Sequence, residues 1–167
     1  LVRAIVAAED QRFWWHFGFD PISGASALKD QFADGINAGR GRGASTITMQ
    51  IAKHLYLWPR RSYVRKMFEV PLAYVLSALW PKKVLMETYL NIAPWGPGIV
   101  GAEAASQYFF HKSAAALTRR EAILLAGVLP SPSLRNPTMP TPQMLKVVPV
   151  IDKRMQVLAS RSACVLP

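Results

Sequence analysis

Residues 62–79 read SYVRKMFEVPLAYVLSAL. Ser62 follows Arg60 and Arg61 as a helix start signal, and Arg65, Lys66 and Glu69 then share one helix face, Glu69 standing four residues after Arg65 and three after Lys66. Pro71 lacks a backbone donor and its ring crowds the carbonyl four residues back, so a kink is expected just after Glu69. The same 3.6-residue period recurs outward along the chain, predicting helices over 1–15, 22–37, 45–57, 62–79, 82–92, 99–109, 118–128 and 141–160. Ser45 is expected to start its helix, Pro81 stands ahead of Lys82, and Thr118 with Glu121 forms a capping box. No run alternates cleanly over six residues or more, so the chain reads as all-α.

At 167 residues the chain is about one domain, large enough to bury a core without a staple. Hydrophobic residues make up 51% and charged residues 18%, which excludes a disordered chain. Cys164 is the single cysteine, so there is no intrachain disulfide framework and no Cys-based zinc site. The net charge of +10 points to a polyanion, a phosphorylated ligand or an anionic membrane surface. That charge is uneven: residues 1–34 carry −2, residues 35–83 carry +8 and residues 84–167 carry +4. Glu69 is the one acid among the nine cations of the middle stretch.

The longest uncharged apolar runs, Val70 to Trp80 and Ala122 to Leu134, are broken by proline and fall short of the roughly 20 residues that cross a bilayer. The chain opens without Met inside an apolar helical pattern, which suggests a piece of a longer precursor with an anchor upstream. Pro130 to Pro142 reads as an extended loop closing a domain over 1–140, followed by a helical extension and tail over 141–167.

On the first helix, Val2, Ile5, Val6 and Phe13 form an apolar stripe, and Glu9 lands in its middle with Asp10 at the edge. Desolvation there favours the neutral acid and raises a carboxyl from about 4.3 toward the range of an effective proton acceptor. The bland reading places Glu9 at a helix terminus, paired with Arg12 or His16. Residues 39–46 offer a helix entry of the kind anions use, but Ala44 stands where a Walker A loop needs lysine. On the helix that follows, Thr46, Gln50 and Lys53 fall within about 60° of one another. Exposed ion pairs contribute only about 0.3–0.5 kcal/mol each, so pairing with Glu69 gives no reason to concentrate Arg60, Arg61, Arg65 and Lys66 in seven residues. A desolvated base beside a field of cations suits chemistry in which a nucleophile is activated and a phosphate or pyrophosphate departs.

Four ordered blocks carry a resemblance: Glu9-Asp10-Gln11-Arg12-Phe13-Trp14-Trp15-His16-Phe17-Gly18, Gly43 through Lys53, Arg65-Lys66-Met67-Phe68-Glu69, and Lys82 through Asn91. In these the sequence resembles the peptidoglycan glycosyltransferases (glycosyltransferase family 51), and among them the monofunctional biosynthetic transglycosylases of Gram-negative bacteria, from about Leu1 to Pro137. The resemblance implies a lysozyme-like helical domain with a large lobe, a smaller membrane-facing lobe and a cleft. It implies polymerisation of lipid II at the periplasmic side of the inner membrane, with a single-pass anchor upstream. Glu9 would be the base and Glu69 the second essential carboxylate. Lys53, Arg61, Arg65 and Lys66 would hold the donor pyrophosphate, with Asp10, Ser45, Thr46 and Gln50 as further substrate contacts. No tightly bound cofactor is implied, although a divalent cation, Mg or Mn, could sit near the leaving group. Partners would be lipid II, the growing glycan chain, the membrane and other cell-wall synthesis and division proteins, with no nucleic acid. The segment near residues 21–38, with Ile22, Leu28 and Phe32, is expected to meet lipid.

Two positions depart from the family pattern: Met49 replaces the first of two paired Gln, and His54 replaces an Asn. A lysozyme-like hydrolase is the alternative, but a glycosidase usually wants a second carboxylate at the scissile bond and has no use for a cation cluster. A nucleic-acid binder would want a stacking aromatic platform among the cations, and none is recognisable.

Overall fold

The computed structural model describes residues 1–25, 45–60 and 62–162, with side chains given through residue 160. Arg61, Leu28, Phe32, Cys164 and residues 39–44 lie outside the described residues. The chain divides into two compact units, Leu1–Gln11 with Met86–Pro167, and Arg12–Leu85.

In the first unit, α1 (Val2–Glu9) supplies four consecutive buried residues, Ala4, Ile5, Val6 and Ala7. Small side chains at 4 and 7 let neighbours approach closely, and α6 (Arg119–Ala126) and α7 (Pro142–Ser162) pack on it. Thr118 and Glu121 close the expected capping box on α6, whose residues 122–126 are all buried. The helix expected as an extension past residue 140 is built into this unit: Met144, Ile151 and Leu158 are buried, and Arg154 donates to the Ala7 carbonyl at 3.2 Å. Between α4 (Lys82–Ile92) and α5 (Ala102–Phe110) the chain forms a two-stranded antiparallel ribbon, β1 (Pro94–Gly96) with β2 (Ile99–Val100). This ribbon is the departure from an all-α reading. Two and three residues are too few for alternation to show, and Gly98 at φ +72° makes the turn.

In the second unit, α2 (Ile47–Tyr56) packs on α3 (Tyr63–Leu79). Ile47, Met49, Ile51 and Ala52 are buried on α2, and Glu69, Ala73 and Leu76 on α3. Met49 therefore occupies a core position, which accounts for an apolar residue there. Ser62 caps α3 as expected, accepting from the Arg65 amide at 3.1 Å, and the helix runs on through Pro71. The cap of α2 is Thr46, not Ser45. Its hydroxyl accepts from the Met49 amide at 3.2 Å and donates to the Gly18 carbonyl at 2.5 Å. Gly18, at φ +84°, lies so close to α3 that a Cβ would stand 2.4 Å from the Ala73 carbonyl oxygen.

The helix predicted over 1–15 stops at Glu9, with Asp10 as its C-cap, because residues 11–15 turn instead. Phe13 still reaches full burial from that turn, stacked edge-on by Trp14 at 4.9 Å and covered by the Lys82 ammonium at 4.5 Å. Of the helix predicted over 22–37, residues 21–25 are helical and the remainder lies outside the described residues. Asp20 caps that turn, accepting from the Ile22 amide at 3.0 Å and the Ser23 hydroxyl at 2.6 Å.

Candidate active site

The carboxylates of the first motif belong to the first unit. Glu9 is the last residue of α1 and is half-buried, while Asp10, at the cap, is 6% exposed. Glu9 thus stands at a helix terminus, as the bland reading had it, and not in the middle of a longer stripe. Tyr89, wholly buried on α4, lies within electrostatic reach of both acids. Burial first, then the charges of Glu9 and Asp10, push its hydroxyl well above the usual value of 10.0, so it stays a proton donor. Composition and spacing did not single out Tyr89. Its one signal is its place in the fourth block, seven residues after Lys82.

The cations belong to the second unit, where the packing of α2 on α3 assembles them. Glu69 is 2% exposed, and both of its oxygens are engaged: Oε1 lies 3.3 Å from Arg65 Nε and Oε2 accepts from Lys66 Nζ at 2.7 Å. A carboxylate so deeply buried must be compensated by charge. Lys66 also donates to Ser45 Oγ at 2.6 Å, so one ammonium joins the residue that precedes the α2 cap to the carboxylate on α3. Ser45, freed from capping by Thr46, serves as a lysine acceptor, and its own O–H remains a donor. Arg65 is committed more widely. Its NH1 donates to the carbonyls of Trp58 at 3.3 Å and Pro59 at 3.0 Å, tying the 57–62 connection to the start of α3. Trp58 packs edge-on against Phe68 at 6.4 Å in the same place.

Gln50 and Lys53 are half-buried on α2, and Arg60 is exposed on the connection. Thr46 shares their stripe but has its hydroxyl occupied by the Gly18 carbonyl and the Met49 amide. His54 follows Lys53 in the last turn of α2. Partial burial, then the charges of Lys53 and Arg65, hold its imidazole down to about 4, neutral at ordinary pH. Among the described residues the structure therefore joins Ser45, Arg65, Lys66 and Glu69 by direct contacts, and sets Glu9 and Asp10 around Tyr89 in the other unit.

An i,i+3/i,i+4 acid–base cluster on one helix, with its carboxylate buried under a serine-anchored lysine, is the feature that the third block encodes. The sequence profile described as Transglycosylase matches residues 1–159. The chain belongs to the transglycosylase family. Three transglycosylase relatives carry the name "Biosynthetic peptidoglycan transglycosylase". That of Brucella suis is 50% identical over 154 residues, covering 92% of this chain and 67% of the relative. That of Shewanella frigidimarina is 52% identical over 157 residues, covering 94% and 68%, and that of Rhodospirillum centenum 44% identical over 168 residues, covering 99% and 71%. This transglycosylase domain is mainly helical, in keeping with the fold class that the motifs implied. Among its described residues no helix is long and apolar enough to cross a membrane.

Proposed function

We propose that the chain is a peptidoglycan glycosyltransferase that polymerises lipid II on the extracytoplasmic side of the membrane. Glu9 takes the proton from the GlcNAc 4-hydroxyl of the acceptor. The oxygen attacks C1 of the donor MurNAc with inversion, a β-1,4 bond forms, and undecaprenyl pyrophosphate leaves with the electron pair of the broken C1–O bond. Lys53, Arg61, Arg65 and Lys66 hold the departing pyrophosphate, and Ser45 and Gln50 add hydrogen bonds. Asp10 and Tyr89 support the position and charge of Glu9.

The observation that carries this reading is the Ser45–Lys66–Glu69–Arg65 cluster. A single buried carboxylate fixes two cations in place before any ligand arrives, and preorganised charge is what a developing pyrophosphate needs. A divalent ion on Glu69 does not fit: both carboxylate oxygens are held by cations, and among the described residues no three acidic, His or Cys groups gather as metal ligands. The cations themselves then supply the neutralising charge, and no step here passes through a metal.

The lipid-linked substrate asks for a lipid-facing surface, and α3 supports one. Opposite its buried residues Glu69, Ala73 and Leu76, it exposes Val64, Met67, Phe68, Val75 and Leu79, with Met67 at 75% and Leu79 at 69%. A contiguous apolar face of this kind marks an interaction or membrane surface. The expected lipid segment near 21–38 lies largely outside the described residues, where Ile22 alone of the three named positions is seen, and it is exposed.

The test is lipid II consumption with products resolved. The parent yields glycan polymer and lipid pyrophosphate, and Glu9→Gln abolishes turnover, a loss of at least about a hundredfold for removal of a general base. Degradation of preformed glycan without polymer would replace this reading with the hydrolase, and a Glu9→Gln enzyme working at the parental rate would remove Glu9 from the base role.

A further inference from the structure

We infer that Arg154 is a positioning residue for the proposed base: its guanidinium closes the C-terminal end of α1 and so holds Glu9 in place. This inference rests on the reading of Glu9 as the base.

The end of α1 is one that electrostatics disfavours. A helix C-terminus presents partial negative charge, and this one carries two acids, Glu9 as its last residue and Asp10 as its cap, with no basic residue in the last turn. Its final carbonyls also lack partners within the helix. Both features promote fraying, and Glu9 is the first helical residue that fraying would release. A base that shifts with a fraying end is poorly suited to taking a proton from one fixed oxygen.

Arg154 meets both needs from 147 positions away in the chain. Its NH1 donates to the Ala7 carbonyl at 3.2 Å, two residues before Glu9 and therefore about 3 Å from it along the helix axis. The contact is partly buried, where a charged donor counts for more than it does in open water. The guanidinium is itself anchored. On α7 it stands three residues after Ile151 and four before Leu158, both buried, so the three side chains share one face of a helix that packs on α1. The neighbouring charges of α6 and α7 are committed elsewhere or exposed: Asp152 pairs with Arg119 at 2.6 Å, Glu121 with Lys112 at 2.9 Å, and Arg120 and Lys153 face solvent. A cation set within an apolar stripe of the last helix is the trace that this contact leaves in the sequence.

The experiment measures kcat and KM for lipid II polymerisation in Arg154→Met, Arg154→Lys, Glu9→Gln and, as a control, Lys153→Met, each assayed well below its thermal midpoint. Arg154→Met keeps much of the stem beside Ile151 and Leu158 but removes the charge and the donors. Its kcat is expected to fall about tenfold or more, because a displacement of about 1 Å in a reacting group costs on the order of a hundredfold in rate. Its KM is expected to stay within about twofold of the parent, the groups proposed to hold the donor being untouched. Arg154→Lys returns a cation to the helix end and recovers about half of the parental kcat or more, and Lys153→Met behaves as the parent. An Arg154→Met enzyme with parental kcat, or with its loss in KM alone, overturns the inference while an inactive Glu9→Gln leaves the base reading in place. A loss equally large in Arg154→Lys or in Lys153→Met is not specific to the helix-end cation and overturns it too. A Glu9→Gln enzyme working at the parental rate overturns the base reading and this inference with it.

Discussion

Gly18 sits at φ +84° with the α3 backbone against it, and the Thr46 hydroxyl bonds its carbonyl. One residue thus joins the loop that follows the first motif, the start of α2 and the middle of α3. A methyl group there meets the Ala73 carbonyl at 2.4 Å and also pays the left-handed conformational penalty, so Gly18→Ala is expected to destabilise the fold by about 3 kcal/mol. Denaturant unfolding checks this, and a change under about 1 kcal/mol would mean that α3 yields at that contact. The sequence showed Gly18 as a helix breaker but gave no sign of its neighbour, 55 residues on, because close backbone approach leaves no periodic trace. Residue-scale chemistry was unevenly legible for the same reason. Arg65, Lys66 and Glu69 could be placed on one face from spacing alone, whereas the Lys66 bond to Ser45 spans 21 residues and needs the fold. Thr46 and Ser45 exchanged roles because adjacent hydroxyl residues are equal as caps until tertiary contacts choose.

At the scale of elements, starts were read well and ends less so. Ser62 and Thr118 cap α3 and α6 through the local hydrogen bonds that their spacing announces. The α1 terminus is not legible in the sequence, since Phe13 keeps the stripe going after the helix has stopped, burial being achieved from a turn. The capping box of α6 also shows what local reading omits. Glu121 accepts from the Thr118 amide and hydroxyl, each at 2.8 Å, and Lys112 bonds both of its oxygens at 2.9 and 3.1 Å. The Lys112 hydrogen bond, then those from Thr118, hold the Glu121 carboxyl down at about 2, against 4.5 in the unfolded chain. The folded value is the lower one, so the stability it brings is complete above about pH 4.5 and is lost as pH falls toward 2. Thermal midpoints of the parent are therefore expected to fall more steeply across that window than those of Glu121→Gln. Parallel acid limbs would show that Glu121 is not held in the folded state.

For the molecule as a whole, part of the excess positive charge, Arg65 and Lys66, is gathered around Glu69, and the apolar residues of the described chain are both buried and exposed. Some fill the cores around α1 and α2, and among the exposed ones Val64, Met67, Phe68, Val75 and Leu79 lie together along α3. Periodicity could not separate them, since a stripe that faces lipid and a stripe that faces a core have the same spacing. On the proposed reading, replacing Met67 and Val75 together by Asp reduces sedimentation with phosphatidylglycerol vesicles by about tenfold or more, each apolar side chain being worth about 1.5–3 kcal/mol when buried. Both positions are exposed, so the thermal midpoint should hold. Undiminished vesicle binding would take lipid contact away from α3.

If the outward face of α3 meets lipid as proposed, it also decides how the enzyme's speed should be expressed. On the proposed reading, a catalyst that lies on the sheet in which its substrate diffuses meets that substrate by lateral search, and the relevant abundance is molecules per unit area. Diluting the suspension at fixed surface density would leave the reaction untouched, while spreading the same substrate over more inert lipid would slow it in proportion.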